Sequence, residues 1–357
     1  LYTSGSTGQP KGILHSHRSG LAYARLAAAT YSVSAEDRLG NFAPLHFDQS
    51  TFEFFCGPMC GASVVLIPPV LPVTLATLAD LIERERLTFF YSVPTIWVQL
   101  LNAAVLASRD FSSLHWILFG GEPFPPRQLA MLRELLPGCR FANVYGPTET
   151  NQCTHYEVTG ASTEALPIGA PWPNTEVLIQ GQDGEPVERG APGELLVRSP
   201  TMMLGYWRRP DLNNQAFFYR QGPGGQPERF YRTGDQVQEK LNGELAFLGR
   251  LDRQIKSHGH RVELDEVEQC LLSHPGVLEG AVFPVREPDQ SVTIGAAIIA
   301  SAPLDDRALR AHLAKLLPAY ALPSRIAQVK ALPRTRTGKI DRNALSSGVD
   351  APQPESS

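Results

Sequence analysis

The sequence predicts an α/β protein of more than one domain, and three observations carry that expectation. Strand and helix patterns alternate up to about Tyr145. Short strands separated by glycine turns follow, from Thr175 to Phe247. A third stretch, after Gly249, returns to mixed helix and strand. Alternation of the first kind places helices over a mostly parallel sheet, and the second texture is that of a β-rich, barrel-like subdomain. With 357 residues, the chain has room for about two domains with a sizeable core.

The elements follow in order. Ala-rich 21–31 reads as a helix. Ala62–Ile67 is an apolar strand, and Thr74–Arg86 an amphipathic helix. Thr88–Val93 is β-branched and aromatic, followed by helix 95–107. Trp116–Phe119 is a short apolar strand, Arg127–Leu136 a helix and Arg140–Val144 a further strand. In the β-rich part, Gly181–Gly184, Gly190–Gly193, Gly222–Gly225 and Asn242–Gly243 mark turns. The last part gives helices 265–273 and 308–317 around strands 280–284 and 293–300. These textures divide the chain into a large domain over 1–250, a small one over 251–345 and a polar, Pro-rich linker over 346–357, expected to be disordered. The first residue, Leu1, predicts a chain that begins inside a longer protein, so the large domain is expected to be incomplete.

Composition narrows the function classes. A net charge of −4 argues against binding nucleic acid through bulk charge. Residues 54–79 carry no charge over a length that could span a bilayer, but Pro58, Pro68, Pro69 and Pro72 interrupt them, and no membrane segment is expected. Five cysteines, an odd number without CxxC spacing, fit a reducing compartment, the cytoplasm. Cys56 and Cys60 near His46 are too few to make a structural zinc site.

Five motifs carry chemistry. The chain opens on Thr3-Ser4-Gly5-Ser6-Thr7-Gly8-Gln9-Pro10-Lys11-Gly12, where small residues let backbone N–H groups crowd an anion and Lys11 adds a charge. It is not a Walker loop, because Pro10 and Gly12 replace the required Gly and Ser/Thr. Then come Asn143-Val144-Tyr145-Gly146-Pro147-Thr148-Glu149-Thr150, Tyr231-Arg232-Thr233-Gly234-Asp235, Gly249-Arg250-Leu251-Asp252-Arg253, and Arg336-Thr337-Gly338-Lys339-Ile340-Asp341.

In this order the motifs resemble those of the adenylate-forming superfamily: nonribosomal peptide synthetase adenylation domains, free-standing aminoacyl-AMP ligases, acyl-CoA synthetases and firefly luciferase. The resemblance covers Leu1 to about Leu345 and implies that ATP and a carboxylic acid give an acyl-adenylate and pyrophosphate, after which a thiol takes the acyl group. It also implies roles. Thr3, Ser4, Gly5, Ser6, Thr7, Gly8 and Lys11 would hold the β- and γ-phosphates, with Gly121, Glu122 and Gly146 beside the nucleotide. Tyr145 would stack on adenine, Thr148 would bond the α-phosphate and Glu149 would hold Mg²⁺. Asp235 would accept from the ribose hydroxyls, with Arg250 near ribose and phosphate and Phe247 across the nucleotide. Lys339 would bridge the substrate carboxylate and the α-phosphate. Asp252 would be the hinge of a mobile small domain, and Gly259 would line a thiol tunnel. Ser257-His258 departs from the usual pattern, and those positions receive no role.

The segment Phe47-Asp48-Gln49-Ser50 resembles that of amino-acid-activating members, where the Asp meets the substrate α-ammonium. The pocket implied by the resemblance is Asp48, Gln49, Phe52, Tyr91, Ile117, Phe119, Val144, Gln152 and Cys153, with Lys339. Phe52, Tyr91 and Phe119 would fill much of it, favouring a small or compact cyclic side chain. The expected function is therefore activation of an amino acid and its transfer to the phosphopantetheine of a carrier protein. The alternatives are a carboxylate–coenzyme A ligase and an inactive nucleotide-binding fragment.

Overall fold

A computed structural model describes residues 1–3, 10–67, 74–160, 165–257, 259–287, 291–335 and 340–348. They divide into two compact units, one made of Leu1–Thr3 with Lys11–Asp252 and the other beginning at Arg253.

At the centre of the first unit is a seven-stranded sheet. Its order is Ser63–Leu66, Arg38–Asn41, Phe89–Ser92, Trp116–Gly120, Arg140–Tyr145, Thr154–Glu157, Ala170–Pro171. The first five strands run parallel and the last two antiparallel. Helices cover both faces. Leu75–Arg84, Pro94–Asn102 and Pro126–Leu135 send Leu78, Ile82, Trp97, Leu100, Leu129 and Leu132 into one core, against Phe90, Ile117, Phe119 and Phe141. Helix His17–Tyr31 packs the opposite face with Tyr23, Ala24, Ala27 and Tyr31, against Phe52, Tyr91, Leu118 and Val144. Its start is fixed by Ser16, whose hydroxyl accepts from the Ser19 amide at 3.1 Å. Thr74 does the same for the next helix, at 3.2 Å from the Thr77 amide.

The helix expected to reach residue 107 stops at Asn102, and Ala104 has φ +54°, which no continuing helix allows. Strand Arg38–Asn41, with only one large apolar residue, carries no sequence signal, and its pairing with two neighbours creates it.

The β-rich part is an antiparallel sheet built round a 13-residue strand, Pro227–Glu239. Its first half pairs with Phe217–Gln221 and its second half with Leu245–Arg250, while Pro192–Arg198 runs along the other edge and Glu176–Gln180 lies beyond. Three short strands, Tyr2–Thr3, Lys11–Leu14 and Gly205–Tyr206, form a separate small sheet.

The second unit has a hairpin, Gln254–Ser257 with His260–Glu263, and a three-stranded sheet. In that sheet Val292–Ala300 pairs antiparallel with Val277–Arg286 and parallel with Arg325–Gln328. Helices Leu264–Leu272 and Asp306–Leu313 pack Val267, Leu271, Leu309 and Leu313 onto Val282, Ile294 and Ile298. Glu268 joins both ends of the unit, meeting Arg253 at 2.8 Å and Arg342 at 2.7 Å. The last helix, Arg342–Gly348, runs three residues past the expected start of the linker, and Ser346 donates to the Pro284 carbonyl. Among the described residues no helix is long and apolar enough to cross a membrane.

Candidate active site

The site collects at the carboxyl ends of the central strands. Strand Arg140–Tyr145 delivers Tyr145 and then a tight turn. A Cβ on Gly146 would lie 1.7 Å from the Asn151 carbonyl oxygen, so only glycine lets the 147–151 segment fold back here. The turn buries Glu149 completely and leaves Thr148 half-buried.

Two residues not anticipated from the sequence hold this turn. His15 Nε2 lies 2.9 Å from the Thr148 carbonyl oxygen and donates to it, and burial pulls this imidazole's pKa down. Tyr206 donates to Glu149 Oε1 at 2.7 Å, and Lys11 Nζ stands 5.7 Å from the centre of the Tyr206 ring. Thus Lys11, Tyr206 and Glu149 come together although 195 positions separate the first two. Their one visible signal was the pair Gly205-Tyr206, where an amphipathic ring follows a glycine of φ +152°. Thr3 lies opposite Lys11 in the hairpin register, with its hydroxyl buried and unpartnered. Residues Ser4, Gly5, Ser6, Thr7 and Gly8 lie outside the described residues, as does Lys339.

A second cluster surrounds Asp235, which is buried in the long strand of the β-rich sheet. Tyr145 donates its phenol to Asp235 Oδ2, and Arg250 Nη1 pairs with Oδ1 at 2.8 Å. Burial, then the charge of Asp235, push the Tyr145 phenol pKa well up, so it stays a donor. Phe247 stands 6.4 Å from Tyr145, ring to ring, and is 40 % exposed. Arg250 also donates to the Thr233 carbonyl at 2.7 Å and to Asp252 at 2.9 Å. The four residues expected round base and ribose therefore meet, and Asp252 is tied to them. Glu122 is engaged otherwise: it accepts from the Thr95 amide at 2.7 Å, at the start of helix Pro94–Asn102. Gly121, with φ +91°, makes the turn before it. Gly259, with φ +79°, sits in the hairpin turn of the second unit.

The expected substrate pocket is only partly brought together. Asp48 opens a short 3₁₀ turn, Asp48–Ser50, and the next residue, Thr51, accepts from Asn151 at 3.0 Å. That bond ties the Asp48 segment to the turn carrying Thr148 and Glu149. Phe52 meets Tyr91 edge-on at 6.2 Å, and Gln152 Nε2 lies 2.9 Å from the Tyr91 hydroxyl. Burial and then the charge of Asp48 raise the Tyr91 pKa. Val144 shares this face, and Gln49 is half-buried beside Asp48.

Ile117 and Phe119 do not belong here. In the parallel register Tyr91 lies opposite Leu118, and Gly120 lies opposite Val144. Side chains alternate along a strand, so Ile117 and Phe119 point into the other core, with Phe90, Trp97 and Phe124. The residues that face Tyr91 are Leu118 and Gly120, and a Cβ on Gly120 would come within 3.8 Å of the Tyr91 hydroxyl. The expectation of a small side chain thereby loses Phe119, one of its three supports. Cys153 also turns away, packing with Tyr145, Ile168 and Leu195 in the core of the β-rich part.

Comparison with known proteins agrees with this geometry. The family model for AMP-binding enzymes matches residues 1–207, and that for their C-terminal domain matches 266–339. A proline–prolyl-carrier-protein ligase of Pseudomonas fluorescens is 38% identical over 98% of this chain and 68% of its own length. The ligase of the same name from Streptomyces coelicolor is 37% identical over 99% of this chain and 66% of its own. The chain thus spans about two thirds of the length of these relatives. Among solved structures, an amide bond synthetase of Marinactinospora thermotolerans superposes with TM-score 0.85 at 31% identity, covering 98% of this chain and 68% of that one. A Vibrio cholerae adenylation domain, solved with glycyl-adenosine-5'-phosphate, gives 0.86 at 28% identity, covering 98% and 65%. The relatives are carrier-protein ligases and adenylation domains, a lineage of amino-acid activation and transfer to carrier proteins. By its sequence, its fold and its relatives, this chain belongs to the AMP-binding, adenylate-forming ligase family.

Proposed function

We propose that the protein activates an amino acid with ATP and passes it to the phosphopantetheine thiol of a carrier protein. The observation that carries this reading is the bond from Asn151 to Thr51. It holds Asp48, an anion suited to a substrate ammonium, beside the Thr148–Glu149 turn. A carboxylate with Phe52 and Tyr91 close by is costly unless it meets a cation. Coenzyme A ligases of simple acids have no ammonium to meet there.

In the first step a substrate carboxylate oxygen bonds to the α-phosphorus while the bond to the pyrophosphate oxygen breaks. Lys11 and the Thr148 hydroxyl supply charge and a donor to the phosphates, fixing two anions in approach. Asp235, oriented by Tyr145 and Arg250, keeps a free lone pair on each oxygen for the ribose hydroxyls. Glu149 fits Mg²⁺, a hard cation that takes one or two carboxylates plus phosphate oxygens and offsets triphosphate charge. The buried Glu149 carboxylate, held by Tyr206, offers such an oxygen. In the second step the deprotonated thiol bonds to the acyl carbon, and the bond to AMP breaks.

The test is Asp48→Ala in the full-length protein, followed by ATP–pyrophosphate exchange. A buried substrate ammonium left unpaired costs roughly 3–5 kcal/mol. At about 1.4 kcal/mol per decade, kcat/KM for the amino acid should fall by about two to four decades. The des-amino analogue should lose little or improve. If both acids fall together, Asp48 is a structural cap and the coenzyme A ligase reading moves ahead.

A further inference from the structure

Gln152 is 4 % exposed, yet only one head of its amide is engaged. Nε2 is 2.9 Å from the Tyr91 hydroxyl, while Oε1 is buried without a hydrogen-bond partner. Turning the amide over exchanges the heads and still leaves one unmet. Such a group costs as much as a lost hydrogen bond unless something else meets it. Its surroundings are those of the substrate: Tyr91 lies within the influence of Asp48, and Gly120, Leu118, Val144 and Phe52 share the same face. Gly120 carries no side chain that could reach the open head. Gln49, next to Asp48, likewise keeps Nε2 buried and unpartnered.

We infer that Gln152, anchored by Tyr91, is the specificity-determining residue and selects an amino acid whose side chain carries a neutral hydroxyl or carboxamide. This rests on the amino-acid reading above and names the substrate class within it. A hydroxyl or amide both donates and accepts, so it meets the open head in either orientation. A charged side chain is excluded on cost, because Phe52, Leu118 and Val144 offer it nothing. A purely apolar one leaves the amide unmet in the complex. Sites built to hydrogen-bond a substrate group discriminate strongly against the analogue that lacks it.

The test is pyrophosphate exchange by the full-length protein with near-isosteric pairs: threonine and valine, asparagine and leucine, 4-hydroxyproline and proline. In at least one pair the polar member should be favoured about 10- to 100-fold in kcat/KM. Gln152→Leu should erase or invert that preference while retaining exchange with the apolar member. Gln152→Met, unbranched and of similar length, repeats the test should the leucine variant fold poorly. An apolar member that matches or beats its polar partner in every pair overturns the inference. So does a preference unchanged in the variants. Exchange with des-amino acids alone overturns the amino-acid reading instead, whatever their side chains.

Discussion

The two faces of the central sheet are both buried, but they are built differently. One is dry and apolar: Phe90, Ile117, Phe119 and Phe141 under three helices, with Trp97 against Phe90. The other holds polar atoms in its core. Tyr23 and Tyr31 bury hydroxyls without partners, Gln152 leaves half an amide open, and Glu53 is 1 % exposed. Burial holds the Glu53 carboxyl up at about 8, opposed only weakly by an Asn41 amide at 3.4 Å. The first face is concerned with stability, and the second gives up part of that stability to keep groups ready for a ligand.

The sharpest way to break this comparison is Phe119→Ala. Deleting a fully buried ring should cost about 3–5 kcal/mol of stability, measured by urea unfolding of the full-length protein. The ratio of kcat/KM between any two amino acids should not move. A changed ratio would put Phe119 back in the pocket and void the assignment of faces.

Glu53 gives a pH signature to the polar face alone. An unfolded chain releases this proton near the ordinary value of 4.5, and the folded one keeps it to about 8. The folded state therefore binds more protons between those values, and stability falls as pH rises through that window and levels off above it. The total is on the order of a few kcal/mol, at about 1.4 kcal/mol per unit. Glu53→Gln should flatten the fall and be the more stable protein at pH 8. Equal slopes for the two proteins between pH 5 and 8 would show that Glu53 is ionised when folded.

The smallest effect concerns His15, at the edge of the site. His15→Ala should lower kcat about tenfold, the worth of one hydrogen bond of about 1 kcal/mol or slightly more. His15→Gln, which keeps a donor, should recover part of it, and amino-acid ratios should stay as they are. A loss confined to KM would mean that His15 does not position the Thr148 turn.

Much of the fold was legible because its signals are local. Ser16 and Thr74 cap helices, the apolar rows of 75–84 and 94–102 have helical spacing, and Gly146 and Gly243 mark turns. The strand Arg38–Asn41 was not legible, because nothing in Arg-Leu-Gly-Asn distinguishes it from a loop until its neighbours pair with it. Parallel strands buried on both faces hide their orientation as well. Trp116-Ile117-Leu118-Phe119 is apolar at every position, so no alternation tells which pair faces the substrate, and a slip of one residue goes unseen.

The sequence by itself therefore determined the family, the order of the motifs and the chemistry they can perform, since those depend on residue types in short runs. The tertiary structure decided which face of the sheet meets the substrate, that Leu118 and Gly120 rather than Ile117 and Phe119 stand beside Tyr91, and that Tyr206 reaches Glu149. The physical reason is that these depend on strand register and on contacts between residues far apart in the chain, fixed only when the sheet closes and buries both of its faces at once.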